Sequence, residues 1–102
     1  MPEVRVYTTR FCGYCVAAKR LLRARGIAYI EIDVTGDDAS RAWLVEATGR
    51  RTVPQIFVDA KPIGGYQELV ALERSGRLAA MLQDPRAVAE RADQRPSEPP
   101  EQ

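Results

Sequence analysis

The stretch that decides the fold reads VRVYTTRFCGYC and runs from Val4 to Cys15. Residues 3–8 alternate valine with other β-forming side chains, which predicts a strand. From Cys12 to Arg25 apolar side chains recur at helical spacing, and Gly26 is the residue type that commonly ends a helix. Both cysteines of the chain therefore lie where a strand passes into a helix.

The pattern after this stretch predicts a single α/β domain over residues 1–83. A strand over 28–34 completes a strand–helix–strand unit, which implies a parallel strand pair with a right-handed crossover. Thr35-Gly-Asp-Asp38 resembles a capping box at the start of a second helix. The remaining predicted elements are a helix over 38–48, strands over 54–58 and 61–63 joined by a two-residue turn, and short helices over 66–74 and 78–83.

Composition narrows the possible functions. The chain has 102 residues, a formal net charge of +1 and no His. The near-neutral charge argues against a dedicated nucleic-acid binder, and no uncharged run approaches the ~20 residues of a membrane-spanning helix. The lack of His excludes imidazole acid–base catalysis, Cys–His nucleophile pairs and imidazole metal ligands.

The two ends of the chain carry no recognisable site motif. The first residues lack a basic segment followed by an apolar one, so we expect no signal peptide and a reducing cytoplasmic location. Residues 84–102 hold three basic and five acidic residues and end in a proline-rich run. This composition predicts a disordered, solubilising tail rather than a partner-binding segment.

The motif Cys12-Gly13-Tyr14-Cys15 is the first candidate site. A thiolate at Cys12 would face the unpaired N–H groups and the positive end of the helix, both of which favour the anion. Cys15 would be sheltered one turn further along, so the pair indicates an attacking and a resolving thiol, with Arg10 and Lys19 adding positive charge. A zinc knuckle would need four ligands and hence a second chain, and inert core cysteines would not usually lie at a strand-to-helix junction.

Three further motifs could bind an anionic or extended ligand. Thr52-Val53-Pro54 is a candidate cis-proline segment, which would leave its backbone open to an extended peptide, although most X-Pro bonds are trans. In Gly64-Gly65-Tyr66-Gln67-Glu68 two glycines precede a helix whose N–H groups could receive a carboxylate, or they form an ordinary turn. Arg50 and Arg51 are carboxylate-pairing donors if they face the site, and a solvated pair at a helix end if they do not.

In this order and on this pattern of elements, the motifs resemble the glutaredoxin family, specifically its dithiol bacterial type. The resemblance covers residues 3–83. It implies a thioredoxin-like α/β fold, βαβαββα, whose four strands form a mixed sheet in the order 2-1-3-4 with helices on both faces. It also implies glutathione-dependent thiol–disulfide exchange.

The resemblance implies roles for individual residues. Cys12 matches the family's nucleophile and Cys15 its resolving thiol. The backbone of Thr52 and Val53 matches the segment that pairs with the cysteinyl part of glutathione, and Gly65 with the residues after it matches the γ-glutamyl pocket. The full set expected to bind glutathione is Arg10, Tyr14, Arg50, Arg51, Thr52, Val53, Pro54, Gly65, Tyr66, Gln67 and Glu68.

Three positions depart from the family pattern. Thr9 stands where family members commonly carry Lys, with Arg10 as a substitute one place later. Gly13 stands where the family often has Pro. Gln67-Glu68 stands where the family prefers an Asp pair, and the amide of Gln67 can accept a hydrogen bond from the γ-glutamyl ammonium but supplies no charge.

These motifs predict a monomeric enzyme whose partners are glutathione and glutathionylated or disulfide-bonded proteins, without a tightly bound cofactor. Two alternatives stay open. One is a thioredoxin-type or mycothiol-type reductase, against which Thr52-Val53-Pro54 and Gly64-Gly65-Tyr66 argue. The other is a carrier of a [2Fe–2S] cluster, with Cys12 as the iron ligand in a glutathione-containing dimer.

Overall fold

A computed structural model describes residues 2–83, and the predicted tail at 84–102 lies outside the described residues. The predicted elements are all present, with ends close to those expected from the pattern. In chain order they are β1 (Val4–Thr8), α1 (Gly13–Ala24), β2 (Ile30–Asp33), α2 (Asp38–Thr48), β3 (Gln55–Val58), β4 (Lys61–Gly64), α3 (Tyr66–Arg74) and α4 (Arg77–Gln83).

The four strands form one mixed sheet in the order β2-β1-β3-β4, which confirms the predicted thioredoxin-like arrangement. Strand β1 runs parallel to β2 and antiparallel to β3, and β3 forms an antiparallel hairpin with β4. Pro62 lies on the edge strand β4, where its missing N–H interrupts no ladder on the outer side.

The strand register brings the site motifs together. Tyr7 near the end of β1 is paired with Gln55 at the start of β3. The loop that follows β1 and the loop that precedes β3 therefore meet at one end of the sheet. At the same end, Gly64 of β4 is paired with Ile56, so the start of α3 arrives beside the same two loops.

Side chains alternate between the two faces of the sheet and build a hydrophobic cluster on each. On one face Val6 and Ile56 pack with Leu22 of α1 and Leu69 of α3. On the other face the cluster of Tyr7, Val34, Leu44 and Phe57 includes a residue of α2. The sheet is thus covered by helices on both faces, and none of the helices described is long and apolar enough to cross a bilayer.

The start of α2 differs from the predicted capping box. Asp37, and not Thr35, caps the helix: its carboxylate accepts the Ser40 N–H at 3.0 Å and the Ser40 hydroxyl at 2.8 Å. Asp is as good a capping residue as Thr, and it stands directly before the first helical residue. The Thr35 hydroxyl instead accepts the Arg10 N–H at 2.9 Å, which ties the loop after β1 to the loop after β2.

Candidate active site

Cys12 occupies the position just before the first turn of α1 and acts as the cap of that helix. The Cys15 N–H donates to Cys12 Sγ at 3.1 Å, so one of the unpaired amides of the helix end points at the sulfur. The Cys12 thiol also lies 3.7 Å from the Val53 carbonyl, to which it can donate. A thiolate here would be stabilised by the amide and by the positive end of the helix.

Cys15 lies in a very different environment one turn further along α1. Its side chain is only 2% exposed. Burial, followed by its hydrogen bond with Cys12, raises the pKa of the Cys15 thiol to about 12. At neutral pH Cys15 is therefore a protonated thiol, while Cys12 is the more accessible sulfur of the two. The two sulfurs thus differ in exposure as expected, and their roles as attacking and resolving thiols stay a prediction.

Lys19 does not supply a free positive charge to the cysteine pair. Its ammonium forms an ion pair with Glu31 at 2.9 Å, and Glu31 also accepts the Thr8 hydroxyl at 2.9 Å. The hydrogen bond between the two charged groups raises the pKa of Lys19 and lowers the pKa of Glu31. The positive charge of Lys19, which was expected near the cysteine pair, is therefore balanced by the Glu31 carboxylate on β2.

A cavity of about 280 Å³ opens beside Cys12, on the side of the Val53 carbonyl. It is bounded by the loop before β3, the start of α3 and the ring of Tyr14. Every residue of its lining belongs to the set predicted from the sequence: Tyr14, Arg50, Thr52, Val53, Pro54, Gly65, Tyr66, Gln67 and Glu68.

The segment before β3, which lines this cavity, is held in place by contacts to its backbone. The Val53–Pro54 bond is cis, as the motif suggested. Gln55, fully buried, donates from its amide nitrogen to the Thr52 carbonyl at 3.0 Å and so fixes the segment before it. A Cβ atom at Gly65 would lie 3.2 Å from the Pro54 carbonyl oxygen, a tight contact that one of the two segments would have to relieve by a small shift, so glycine favours this close approach of α3.

Two opposite charges line the cavity. The Arg50 guanidinium lies 3.2 Å from the Glu68 carboxylate, and both side chains are a little under half exposed. Glu68 also accepts the Gly65 N–H at 2.8 Å, which caps α3. That hydrogen bond, together with the Arg50 charge, lowers the pKa of Glu68. The cavity therefore presents a guanidinium and a carboxylate that pair with each other and that a ligand with charged groups could engage.

An aromatic pair closes one side of the cavity. The rings of Tyr14 and Tyr66 stack with centroids 5.9 Å apart and an interplanar angle of 26°. The pair links the first turn of α1 to the first turn of α3, and it gives a ligand a flat apolar wall next to the reactive sulfur.

A sequence model of the glutaredoxin family matches residues 4–63, which is more than half of the chain. The chain belongs to the glutaredoxin family. It is 43% identical to "Glutaredoxin 3" of Escherichia coli strain K12 over 82 residues, which are 80% of this chain and 99% of that protein. It is 45% identical to a glutaredoxin of Pseudomonas aeruginosa over 82 residues, again 80% of this chain and 98% of the other.

Solved structures of glutaredoxins share the fold. The crystal structure of a buckwheat glutaredoxin–glutathione complex superposes with a TM-score of 0.76 at 35% identity, over 80% of this chain and 77% of that one. Members of the family are thiol–disulfide oxidoreductases that depend on glutathione. The chain is accordingly an enzyme of this class, with Cys12 and Cys15 as its CxxC pair.

Arg51 does not line the cavity beside Cys12. It lines a neighbouring cavity of about 250 Å³ together with Arg41 and Arg50. The Arg51 carbonyl accepts a hydrogen bond from Arg41 Nη2 at 3.4 Å. Arg41 was not predicted as a site residue, because nothing in the sequence of α2 distinguishes it. Only the packing of α2 beside the loop before β3 brings this third arginine next to the site.

Arg10 was predicted to bind glutathione, but it does not line the cavity next to Val53. It lines a groove on the other side of Cys12, together with Asp33 and Lys19, and this groove shares no lining residue with the cavity next to Val53. The Arg10 backbone is tied to Thr35, which holds the loop in this orientation. Arg10 therefore does not line the cavity next to Val53, and its role as a substitute for the Lys missing at position 9 stays a prediction.

The described residues contain no group of three or more Cys, His, Asp or Glu side chains placed to hold a metal ion. An iron–sulfur cluster is held by four ligands. One chain could offer the accessible Cys12 as one of them, since Cys15 is buried. The remaining ligands would come from outside this chain, as in the glutathione-containing dimer that the family resemblance allows.

Proposed function

We propose that this enzyme reduces protein–glutathione mixed disulfides and protein disulfides, with glutathione as its co-substrate. The observation that carries the proposal is the cavity beside Cys12, whose lining combines a guanidinium, a carboxylate and an extended backbone segment. Glutathione is an extended tripeptide with carboxylates at both ends, one ammonium and a central thiol. The buckwheat glutaredoxin with a similar fold has been crystallised with that ligand.

The ends of the tripeptide can be assigned from the charges. Glu68 would accept the γ-glutamyl ammonium at the start of α3, a role that the neutral amide of Gln67 cannot fill with a charge. Arg50, once it leaves its ion pair with Glu68, and the adjacent Arg41 would attract the glycyl carboxylate. The segment at Val53 would then face the cysteinyl part, close to the sulfur of Cys12.

In the first step, the Cys12 thiolate attacks the glutathione sulfur of a mixed disulfide. A bond forms between Cys12 Sγ and that sulfur, the original S–S bond breaks, and the target protein leaves as a thiolate that takes a proton from solvent. A second glutathione thiolate then attacks the glutathione sulfur on Cys12. This step returns the Cys12 thiolate and releases oxidised glutathione.

Protein disulfides would follow a second route through Cys15. Cys12 first forms a mixed disulfide with one target sulfur, and Cys15 then attacks Cys12 Sγ as a thiolate and expels the target thiol. Two glutathione molecules later reduce the Cys12–Cys15 disulfide. Burial, the largest cause of the raised pKa of Cys15, should make this route slower at neutral pH than at alkaline pH, because the attacking thiolate is scarce.

The reductant is tested by following NADPH consumption with a glutathionylated substrate. We expect turnover when glutathione and glutathione reductase are present, and none with thioredoxin reductase alone. Turnover only with thioredoxin reductase, or only with mycothiol and its reductase, would refute the proposal.

Single substitutions distinguish the two proposed reactions from each other, and the contribution of Arg50 to substrate binding from that of Arg51. Cys12→Ser should abolish both activities, whereas Cys15→Ser should keep the reduction of mixed disulfides and lose most reduction of protein disulfides. Arg50→Met should raise the KM for glutathionylated substrate with little change in kcat, because the ion pair acts in the ground state and the transition state alike. Arg51→Met, in the neighbouring cavity, is the matched comparison and should have a smaller effect on KM.

A further inference from the structure

Phe11 directly precedes the nucleophile Cys12. The exposure of its side chain and the conformation of its backbone are both unfavourable for Phe. Its side chain is 100% exposed, although Phe is among the residues most often buried. Its backbone has a φ of 57°, in the left-handed region that bulky side chains rarely adopt. Residues held in this region against their preference occur at functional sites more than elsewhere.

Phe11 contributes to an apolar surface that continues from the reactive sulfur. Together with Val16, which is 48% exposed, it lines a groove of about 430 Å³ that also includes Cys12. Polar groups frame this surface: Arg10 and Asp33 lie in the same groove, with the Lys19–Glu31 ion pair. The groove lies across Cys12 from the cavity proposed for glutathione.

Glutathione has no apolar side chain that could use this surface. A disulfide substrate, however, has two halves, and in a protein substrate one half is a polypeptide. When Cys12 attacks a sulfur of such a substrate, the residues next to the target cysteine must lie against the surface around Cys12. Aromatic side chains, Phe among them, are enriched at the buried centres of protein interfaces.

We propose that Phe11 and Val16 form the docking surface for the polypeptide part of the substrate, and that this surface favours target cysteines with apolar neighbours. The proposal rests on the proposed function only in that protein disulfides are substrates. It does not depend on glutathione as the reductant.

The test uses the full chain in its reduced form and no glutathione. The probe is a short peptide whose single cysteine carries a 2-nitro-5-thiobenzoate group. Cys12 attacks the peptide sulfur, the Cys12–peptide disulfide forms, and the thionitrobenzoate anion leaves with the electron pair, since the thiol of lower pKa leaves faster. The second-order rate constant follows from the absorbance of that anion. One peptide has Leu on both sides of the cysteine and the other has Ser.

The wild-type enzyme should react about five- to tenfold faster with the Leu peptide, as expected for partial burial of one aromatic ring. In Phe11→Asn this preference should disappear while the rate with the Ser peptide stays the same. Asn tolerates the left-handed conformation better than Phe, so the variant should fold at least as stably. Val16→Ser should lose part of the preference.

Ile30→Ser is the matched control, because Ile30 is also 48% exposed but lies on the edge strand β2 and does not line the groove. It should keep the full preference for the Leu peptide.

Equal rates for both peptides in the wild type would overturn the proposal. An equal loss of rate with both peptides in Phe11→Asn would also overturn it, and would point to a role of Phe11 in positioning Cys12. If the wild type is a dimer that Phe11→Asn dissociates, the surface binds a second copy of the chain instead. If removing residues 84–102 raises the rate with the Leu peptide, the surface binds the chain's own tail instead.

Discussion

Replacing Glu68 by Gln separates the charge of this residue from its hydrogen bond. The Gln side chain can still accept the Gly65 N–H, which Glu68 accepts at 2.8 Å. It cannot pair with the Arg50 guanidinium, which lies 3.2 Å from the carboxylate, and it no longer places a negative charge at the start of α3. The substitution therefore removes two electrostatic contributions and leaves the cap in place.

The expected loss of stability is small, because both partners are nearly half exposed. An ion pair of this kind contributes ~0.2–1 kcal/mol, and a carboxylate in the first turn of a helix ~0.3–1 kcal/mol. Together they amount to about 1 kcal/mol, which for a domain of this size corresponds to a fall in Tm of about 4–8 °C. Thermal unfolding at pH 7, followed by circular dichroism, measures the difference between wild type and Glu68→Gln.

The difference should vanish in acid. The pKa of Glu68 is lowered in the folded state, so the ionised carboxylate stabilises the fold fully above its ordinary pKa of about 4.3. As the pH falls through the lowered folded value, the carboxylate takes up a proton and this contribution is lost. The Tm values of the two proteins should accordingly converge as the pH falls from the ordinary pKa of about 4.3 through the lowered folded value.

The same substitution should weaken substrate binding if Glu68 accepts the γ-glutamyl ammonium. We expect the KM for a glutathionylated peptide to rise about fivefold, which corresponds to about 1 kcal/mol. A substrate made with glutathione lacking the α-amino group should show no such difference between wild type and variant. This second substrate distinguishes an ammonium contact from a general disturbance of the cavity.

Glu73→Gln is the control, since Glu73 also belongs to α3 and pairs with Arg25 at 2.8 Å, but does not line the cavity next to Cys12. It should lower Tm without changing the KM. The reasoning would be refuted if Glu68→Gln left Tm at pH 7 unchanged, if its effect on Tm stayed constant down to pH 3, or if the KM rose equally for both substrates.

Three further predictions concern the thiols and the tail. Brief treatment with iodoacetamide at pH 7 should alkylate Cys12 alone, because Cys15 is buried and has a pKa of about 12; mass spectrometry of the peptides would detect modification of Cys15. Removing residues 84–102 should change Tm by less than about 2 °C and leave kcat unchanged, since a polar, proline-rich segment buries little apolar area; a larger loss measured by calorimetry would mean that the segment docks on the domain. Anaerobic reconstitution with iron, sulfide and glutathione should give a coloured dimer, seen by visible absorption and gel filtration. Gly13→Pro should reduce that uptake more than it reduces oxidoreductase activity, because Pro would fix φ and stiffen the loop around Cys12. A colourless monomer would reject cluster binding.

Much of the fold could be predicted because its signals are local. Alternation of valine with other β-forming residues predicted β1, and Gly26, which has a positive φ, follows the end of α1 as the sequence indicated. The CxxC pair was predictable for the same reason: spacing of three residues at the start of a helix places Cys12 at the cap and Cys15 one turn inward. Local rules did not distinguish Thr35 from Asp37 as the cap of α2, because both residue types can perform that role.

The sequence by itself identified the CxxC pair and the candidate binding motifs, and the tertiary structure decided which of their residues meet. Arg10 is only two residues from Cys12, yet it lies across Cys12 from the cavity, whereas Arg50, distant in sequence, lines that cavity. Arg41 and the charge pair of Arg50 with Glu68 depend on how α2, α3 and the loop before β3 are arranged around the sheet. Those contacts are set by strand register and helix packing, which join residues far apart in the chain, so no periodicity or spacing in the sequence could reveal them.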